Sequence, residues 1–190
     1  MILKKSFYQR KTLDVAKDLL GYFLVRKIGQ KIIRAMITET EAYIGEDDLA
    51  SHASKGRTPR TEIMYGPAGR AYVYMIYGIY HCLNVVTEKK DFPAAVLIRG
   101  LENVSESRAN SREWKEIKNV KLNGPGKLCK FLKIDRKLNG WDLAKGEKLW
   151  IASPRLVGLG PKKLKIKKSK RIGIDYARHC KHYLWRFHIA

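Results

Sequence analysis

Glu39 and Glu41 stand two residues apart at the end of a β-branched run, KIIRAMITETEAY (residues 31–43), and Glu46, Asp47 and Asp48 follow within seven positions. Five of the 18 acidic residues thus fall within ten positions of a chain whose formal net charge is +21. If the strand stays regular, Ile33, Ala35, Ile37, Glu39 and Glu41 share one face, and an apolar face ends in two carboxylates. A carboxylate held in such a place can orient and deprotonate water or stabilise a developing cation. Two other readings fit the same residues. The strand could end near Thr38 and leave both side chains in solvent, or Glu39, Glu41, Asp47, Asp48 and His52 could hold magnesium in a metal-dependent nuclease.

A second stretch, AYVYMIYGIYHCLNVV (residues 71–86), carries no formally charged group but is broken by Tyr72, Tyr74, Tyr77, Tyr80 and Asn84. It is too short and too polar to cross a membrane, and its β-propensity on both sides of Gly78 predicts a hairpin that turns near residues 78–81. Alternation puts Tyr72 and Tyr74 on one face and Tyr77 on the other, close to the turn. Arg99 closes a further apolar strand, AAVLIRG, where a guanidinium calls for an anionic partner.

The elements that must position these groups are legible in part. TLDVAKDLL predicts a helix over residues 12–20, capped by Thr12 and stopped at Gly21. Gly29-Gln30 predicts a hairpin turn between two strands. Residues 102–121 are polar and partly helical in pattern, and NGPGKLCKFLKI begins a helix with Pro125 in its first turn. Its GPGK lacks the spacing of a phosphate-binding Walker loop. PKKLKIKKSKR (residues 161–171) places seven basic residues in eleven around Leu164 and Ile166, which suits an edge strand with a solvated face for phosphates.

With 190 residues, 45% hydrophobic and 10% aromatic, the chain predicts one domain, 1–190, with a core large enough to stand without disulfides or metals. The excess of 39 Lys and Arg over 18 Asp and Glu is then a surface property, and it predicts salt-sensitive attraction to nucleic acid. Cys82, Cys129 and Cys180 are odd in number and lack CxxC spacing, which predicts reduced, buried thiols in an intracellular setting. The N-terminus lacks a signal-peptide core and no run approaches 18 apolar residues, so a soluble protein is expected, in the cytoplasm or nucleoid of a prokaryote or the nucleus of a eukaryote.

TETEAYIGEDDLASH, GRTPR, YVYMIYGIYHCLNVV, AVLIRGLE and NGPGKLC occur in an order and at spacings that resemble the alkyladenine (3-methyladenine) DNA glycosylase family. RIGI and WRF fit its closing segment, and the resemblance spans about residues 5 to 190. It implies an α+β fold: a single compact domain around a curved, mainly antiparallel sheet, with a protruding β-hairpin that inserts into DNA. It also implies a monofunctional enzyme without metal or other cofactor, expected to be a monomer, that hydrolyses the N-glycosidic bond of damaged purines in double-stranded DNA. The family's substrates include 3-methyladenine, 7-methylguanine, hypoxanthine and ethenoadenine.

By the same resemblance Glu41 is the catalytic carboxylate and Arg99 the arginine beside it, expected to lower the pKa of Glu41. Tyr43 and Tyr74 are the stacking aromatics of the base pocket, with His52 opposite. Asn84 obstructs the exocyclic amine of guanine. Tyr77 is the intercalating wedge and Ile79 its apolar neighbour. The chemistry suits these types: an extruded base must be replaced in the stack by a wedge, and stacking contributes about 1–3 kcal/mol per base. The acidic cluster is expected to fix its loop and pair with cations such as Arg57 and Arg60. Departures from the family pattern lie at Gly100, usually Ala, at Asn103, commonly Pro, and through residues 103–120. A non-catalytic nucleic-acid-binding module and a bifunctional glycosylase with a Schiff-base lysine stay open beside this reading. The HCKH segment around Cys180 is a weak metal signal.

Overall fold

The computed structural model describes residues 1–154 and 164–190, apart from Asn110 and Arg112. Among them, nine strands form one curled antiparallel sheet: β1 Phe23–Ile28, β2 Lys31–Ile44, β3 Ala71–Ile76, β4 Tyr80–Val86, β5 Ala94–Arg108, β6 Lys115–Glu116, β7 Leu149–Ala152, β8 Ile166–Ser169 and β9 Arg186–Ile189. The main order is β3-β4-β5-β2-β1-β7. Three short helices, α1 Lys5–Tyr8, α2 Thr12–Asp18 and α3 Pro125–Phe131, complete an α+β architecture. None is long and apolar enough to cross a membrane.

The long strands β2 and β5 form the centre. β1 pairs with β2 over Lys31 to Met36, and β9 takes over the same edge at Glu39 to Glu41. The expected alternation along β2 breaks at this point. The register against β5 runs Ile37 with Leu101, Glu39 with Gly100, then Thr40 with Ile98, so Thr38 and Arg99 drop out of the pairing. Such irregularities bend a strand and reset which face its side chains occupy. Ile33, Ala35 and Ile37 enter the main core, but beyond the shift Ala42 does so, and buried Thr40 donates its hydroxyl to the Ala16 carbonyl of α2 at 2.8 Å. Glu39 and Glu41 therefore do not share the face of Ile33, Ala35 and Ile37. Gly100 has a local reason here, because a Cβ in its place would lie 2.9 Å from the Glu39 Cβ.

The same parity governs the neighbouring strands. Ala71 and Val73, Leu83 and Val85, and Val96 and Ile98 pack with α2 and α3 in the main core. Tyr72, Val86 and Ala95 lie on the other face in a smaller cluster with Met64 and Tyr65. That second face carries the candidate site.

The hairpin at Gly29-Gln30 forms as expected, and Pro125 opens α3 at its first turn. The helix expected over residues 12–20 ends at Asp18, because the Gly21 N–H and the Tyr22 carbonyl pair with Ile37 and carry the chain into β1. Thr12 is the first helical residue rather than the cap. Its N–H and hydroxyl both donate to Glu88, at 2.7 and 2.9 Å, so the cap comes from 76 residues away. Glu88→Ala is expected to cost about 1–2 kcal/mol by leaving these donors unpaired, measured by urea unfolding. Residues 102–121 form no helix among those described: β5 runs on to Arg108 and pairs with the two-residue β6. β8 is the expected edge strand, paired among the described residues with β9 alone, while residues 161–163 of that basic run lie outside the described residues. The three cysteines are free and buried.

Candidate active site

A cavity of about 340 Å³ opens on the second face of the sheet, and Tyr43, His52, Tyr74, Asn84 and Arg99 all line it. Each comes from a position whose parity points away from the main core: β2 supplies Tyr43, β3 Tyr74, β4 Asn84 and β5 Arg99. His52 arrives separately, at the start of the 3-10 turn His52–Lys55. Glu41 and Asn84, 43 positions apart in the chain, are both aligned with Leu97 of β5, because β2, β5 and β4 are consecutive in the sheet.

The hairpin turn sits at the mouth. Tyr77 lines the cavity yet is 87% exposed, and Ile79 beside it is 68% exposed. Ile76 pairs with Tyr80, so residues 77–79 form the loop, slightly before the expected turn at 78–81. Tyr77 and Gly78 both adopt positive φ, 51° and 71°. A tyrosine in the left-handed region is uncommon, and an apolar tip left in water calls for a partner surface.

Within the cavity the aromatic groups are packed against each other. His52 meets Tyr74 edge-on at 4.5 Å between centroids, and Tyr72 lies 5.2 Å from Tyr74. His52 Nδ1 is hydrogen-bonded to the Tyr72 hydroxyl at 2.8 Å. Burial, with Arg60 and Lys55 nearby, pushes the His52 pKa down to about 4, so its imidazole is neutral at physiological pH. Arg60 lies over the Tyr74 ring at 5.3 Å. Asn84 is buried and donates its amide to the Tyr72 carbonyl at 3.2 Å, which holds its side chain in one orientation against the cavity.

Glu41 lies beneath this floor with no exposed surface. Its Oε2 accepts from the Tyr43 hydroxyl at 2.8 Å and its Oε1 from the Ile172 N–H at 2.9 Å. Arg99 Nε is 3.6 Å from Oε1 but closer, 2.9 Å, to Glu39, which also accepts from Arg186 at 2.6 Å. Arg99 does pull the Glu41 pKa down as expected, but the net direction is the reverse of that expectation. Burial is the larger effect and raises it, opposed by Arg99, the Ile172 N–H and the Tyr43 hydroxyl. Glu41 is a desolvated carboxylate with a stronger affinity for protons than an ordinary glutamate.

The acidic cluster divides by partner. Asp48 forms a buried, two-pronged pair with Arg171, at 2.6 and 2.8 Å, and Glu46 accepts from the Tyr65 hydroxyl. Arg57 pairs with Glu62 and Asp91 instead, and Arg60 reaches His52 and Tyr74, so neither is the cluster's counterion. The five candidate magnesium ligands are not brought together: Glu39 and Asp48 are held by arginines, Asp47 faces solvent, and His52 is on Tyr72. Among the described residues no group of three or more His, Cys, Asp or Glu converges as a metal site requires.

Arg171 and Ile172 were not among the candidate residues. Arg171 ends the basic run that alternation assigns to a solvated surface, yet its side chain is fully buried. The one available signal was RIGI, where two isoleucines around a glycine follow Arg171 directly after the lysine-rich run.

The chain matches the family model described as "Methylpurine-DNA glycosylase (MPG)" over residues 6–190. A protein of Methanocella arvoryzae named "Putative 3-methyladenine DNA glycosylase" is 47% identical over 98% of this chain and 92% of its own length. A protein of Clostridium perfringens strain 13 with the same name is 44% identical over 100% of this chain and 96% of its own length. On a match that runs through every element of the site, from β2 to β9, the chain belongs to the methylpurine-DNA glycosylase family.

Proposed function

We propose that this protein is a DNA repair enzyme that turns alkylated or deaminated purines out of duplex DNA and hydrolyses their N-glycosidic bond. The observation that carries this reading is one fully buried carboxylate, Glu41, beneath an aromatic cavity, in a chain of formal net charge +21. A cationic surface draws in the polyanion, and the aromatic cavity receives a flat, electron-poor base. Tyr77, with Ile79 beside it, fills the space the base leaves. Asn84 opposes the exocyclic amine of guanine.

In the chemical step the C1′–N bond breaks with its electron pair leaving on the base, and water adds its oxygen to the cationic sugar carbon. Glu41 takes the proton from that water and stabilises the positive charge. Its raised proton affinity suits the first role and its negative charge the second. Tyr43 and Ile172 each donate to one of its oxygens, and each oxygen keeps a second lone pair that can accept from the water.

The test is release of free base from duplexes carrying hypoxanthine, ethenoadenine, 7-methylguanine or 3-methyladenine, with EDTA present. Release by a monomer, with no covalent DNA adduct after borohydride, supports a metal-independent, water-using glycosylase. No release from any of the four would leave a DNA-binding protein. Tyr77→Ala is expected to change folding stability by no more than about 0.5 kcal/mol, since the ring is exposed. It should weaken base extrusion by about tenfold or more, because opening a base step costs a few kcal/mol. Stopped-flow fluorescence of a base analogue beside the lesion measures this directly.

A further inference from the structure

We infer that the buried Arg171–Asp48 pair is a latch that positions Glu41 through the backbone of Ile172, making Arg171 and Asp48 positioning residues for the hydrolytic step. This rests on the function proposed above.

The case begins with the cost of the arrangement. Asp48 and Arg171 have side-chain exposures of 1% and 0%, and burying a charge pair is expensive unless its remaining hydrogen bonds are filled. Here they largely are. Besides the two bonds to Asp48, Arg171 donates to the Ala42 carbonyl at 2.9 Å and the Cys180 carbonyl at 3.2 Å. Its guanidinium also lies over Tyr43 at 4.8 Å and Trp185 at 5.0 Å. Asp48 accepts in addition from the Ile44 and Ala50 N–H groups at 3.2 and 3.1 Å.

Those partners surround Glu41 in the chain and in space. Ala42 is its neighbour in β2, Tyr43 is the side chain on its Oε2, and Ile172, next to Arg171, provides the N–H on its Oε1. Arg171 thus fixes both groups that hold the carboxylate. Beyond it the chain passes through Gly173 at φ 74° to Ile174, and Ile172, Gly173 and Ile174 all line the cavity. A segment that is exposed at Ile172 (47%) needs an anchor if its amide is to stay on a buried carboxylate, and Arg171 is that anchor. The pair also accounts for one of the three adjacent acids in the GEDDL loop: Asp48 ties the loop after β2 to the segment that crosses Glu41.

The experiment compares wild type, Arg171→Lys, Ile172→Pro and the double variant on a duplex that the wild type cleaves. Single-turnover base release, duplex Kd and Tm are measured for each. Lys keeps the charge but loses the two-pronged fork, and Pro removes the N–H itself. Arg171→Lys is expected to slow base release by about 10²-fold with Kd within about threefold of wild type, since misplacement by about 1 Å costs that much. Ile172→Pro should do the same, and the double variant should be no slower than Ile172→Pro alone. A wild-type rate in folded Arg171→Lys, a loss carried wholly by Kd, or additive losses in the double variant would overturn the latch. If Arg171→Lys does not fold, Asp48→Asn, nearly equal in volume, carries the same expectation. Hydrogen exchange of the Ile172 amide without DNA separates this from the catalytic reading: the latch predicts exchange at least about tenfold faster in Arg171→Lys. Should the wild type release no base, that rate alone decides, and unchanged protection refutes the latch.

Discussion

Glu41→Gln is expected to lower single-turnover base release by about 10³-fold while leaving duplex affinity within a few-fold of wild type. General base catalysis accounts for about 10²–10⁴ and a single charge-stabilising group for about 10²–10³; one carboxylate supplies both, so the two overlap rather than multiply, and the glutamine removes them while keeping the shape. Its effect on stability has a defined sign. Burial raises the folded-state pKa of Glu41, so its contribution to stability is fully present below the unfolded pKa and is lost as pH rises through the folded one. The charge thus costs stability at neutral pH. The amide removes that cost but turns an N–H donor toward either the Tyr43 hydroxyl or the Ile172 N–H. The variant's Tm relative to wild type should therefore be higher at neutral pH than in acid, where Glu41 is already protonated. A relative Tm that falls with rising pH would contradict a desolvated carboxylate. Retained base release would remove Glu41 from the chemistry.

Arg99→Met is expected to reduce base release by about 10²-fold near neutral pH and to move the acid limb of the pH–rate profile upward. The guanidinium lies 3.6 Å from Glu41 and is the largest influence opposing its burial. Without it the proton affinity of Glu41 rises further, and less of the carboxylate is ionised at a given pH. Since the rate requires the ionised form, it should recover partly as pH increases, a pattern that loss of a DNA contact alone would not produce. Glu39 keeps Arg186 at 2.6 Å, so the variant does not leave that carboxylate unpaired. Comparing pH profiles with duplex Kd for wild type and variant tests both points.

Several parts of this site could be read without coordinates because they depend on local pattern. The hairpins at Gly29-Gln30 and around Gly78, the exposure of Tyr77 and the first turn of α3 all follow from turn chemistry and period. Composition indicated the attraction to nucleic acid, and the ordered motifs TETEAY, YVYMIYGIYHCLN and AVLIRG indicated the family. Misreadings arose where a distant partner decided. Residues 102–108 are polar enough for a surface helix, yet they extend β5 because the open edge of β2 accepts them. Thr12 resembles a cap, but Glu88 caps α2 across 76 positions.

What the sequence by itself determined was which residue types are present, their approximate secondary structure and the family they belong to. What only the tertiary structure decided was the environment of the charges. Alternation along β2 put Glu39 and Glu41 on the face of Ile33 and Ile37, and a register shift at Thr38 and Arg99, visible only once β5 is paired, sends Glu41 beneath the cavity instead. Arg99 as a neighbour was expected to lower the pKa of Glu41, but burial is a property of everything packed around the group, and it reverses the sign. Arg171, read as one more cation of a basic strand, is buried against an aspartate 123 positions away. Period and propensity act over a few residues, whereas desolvation and ion pairing depend on which distant segments meet, and that is settled by the fold.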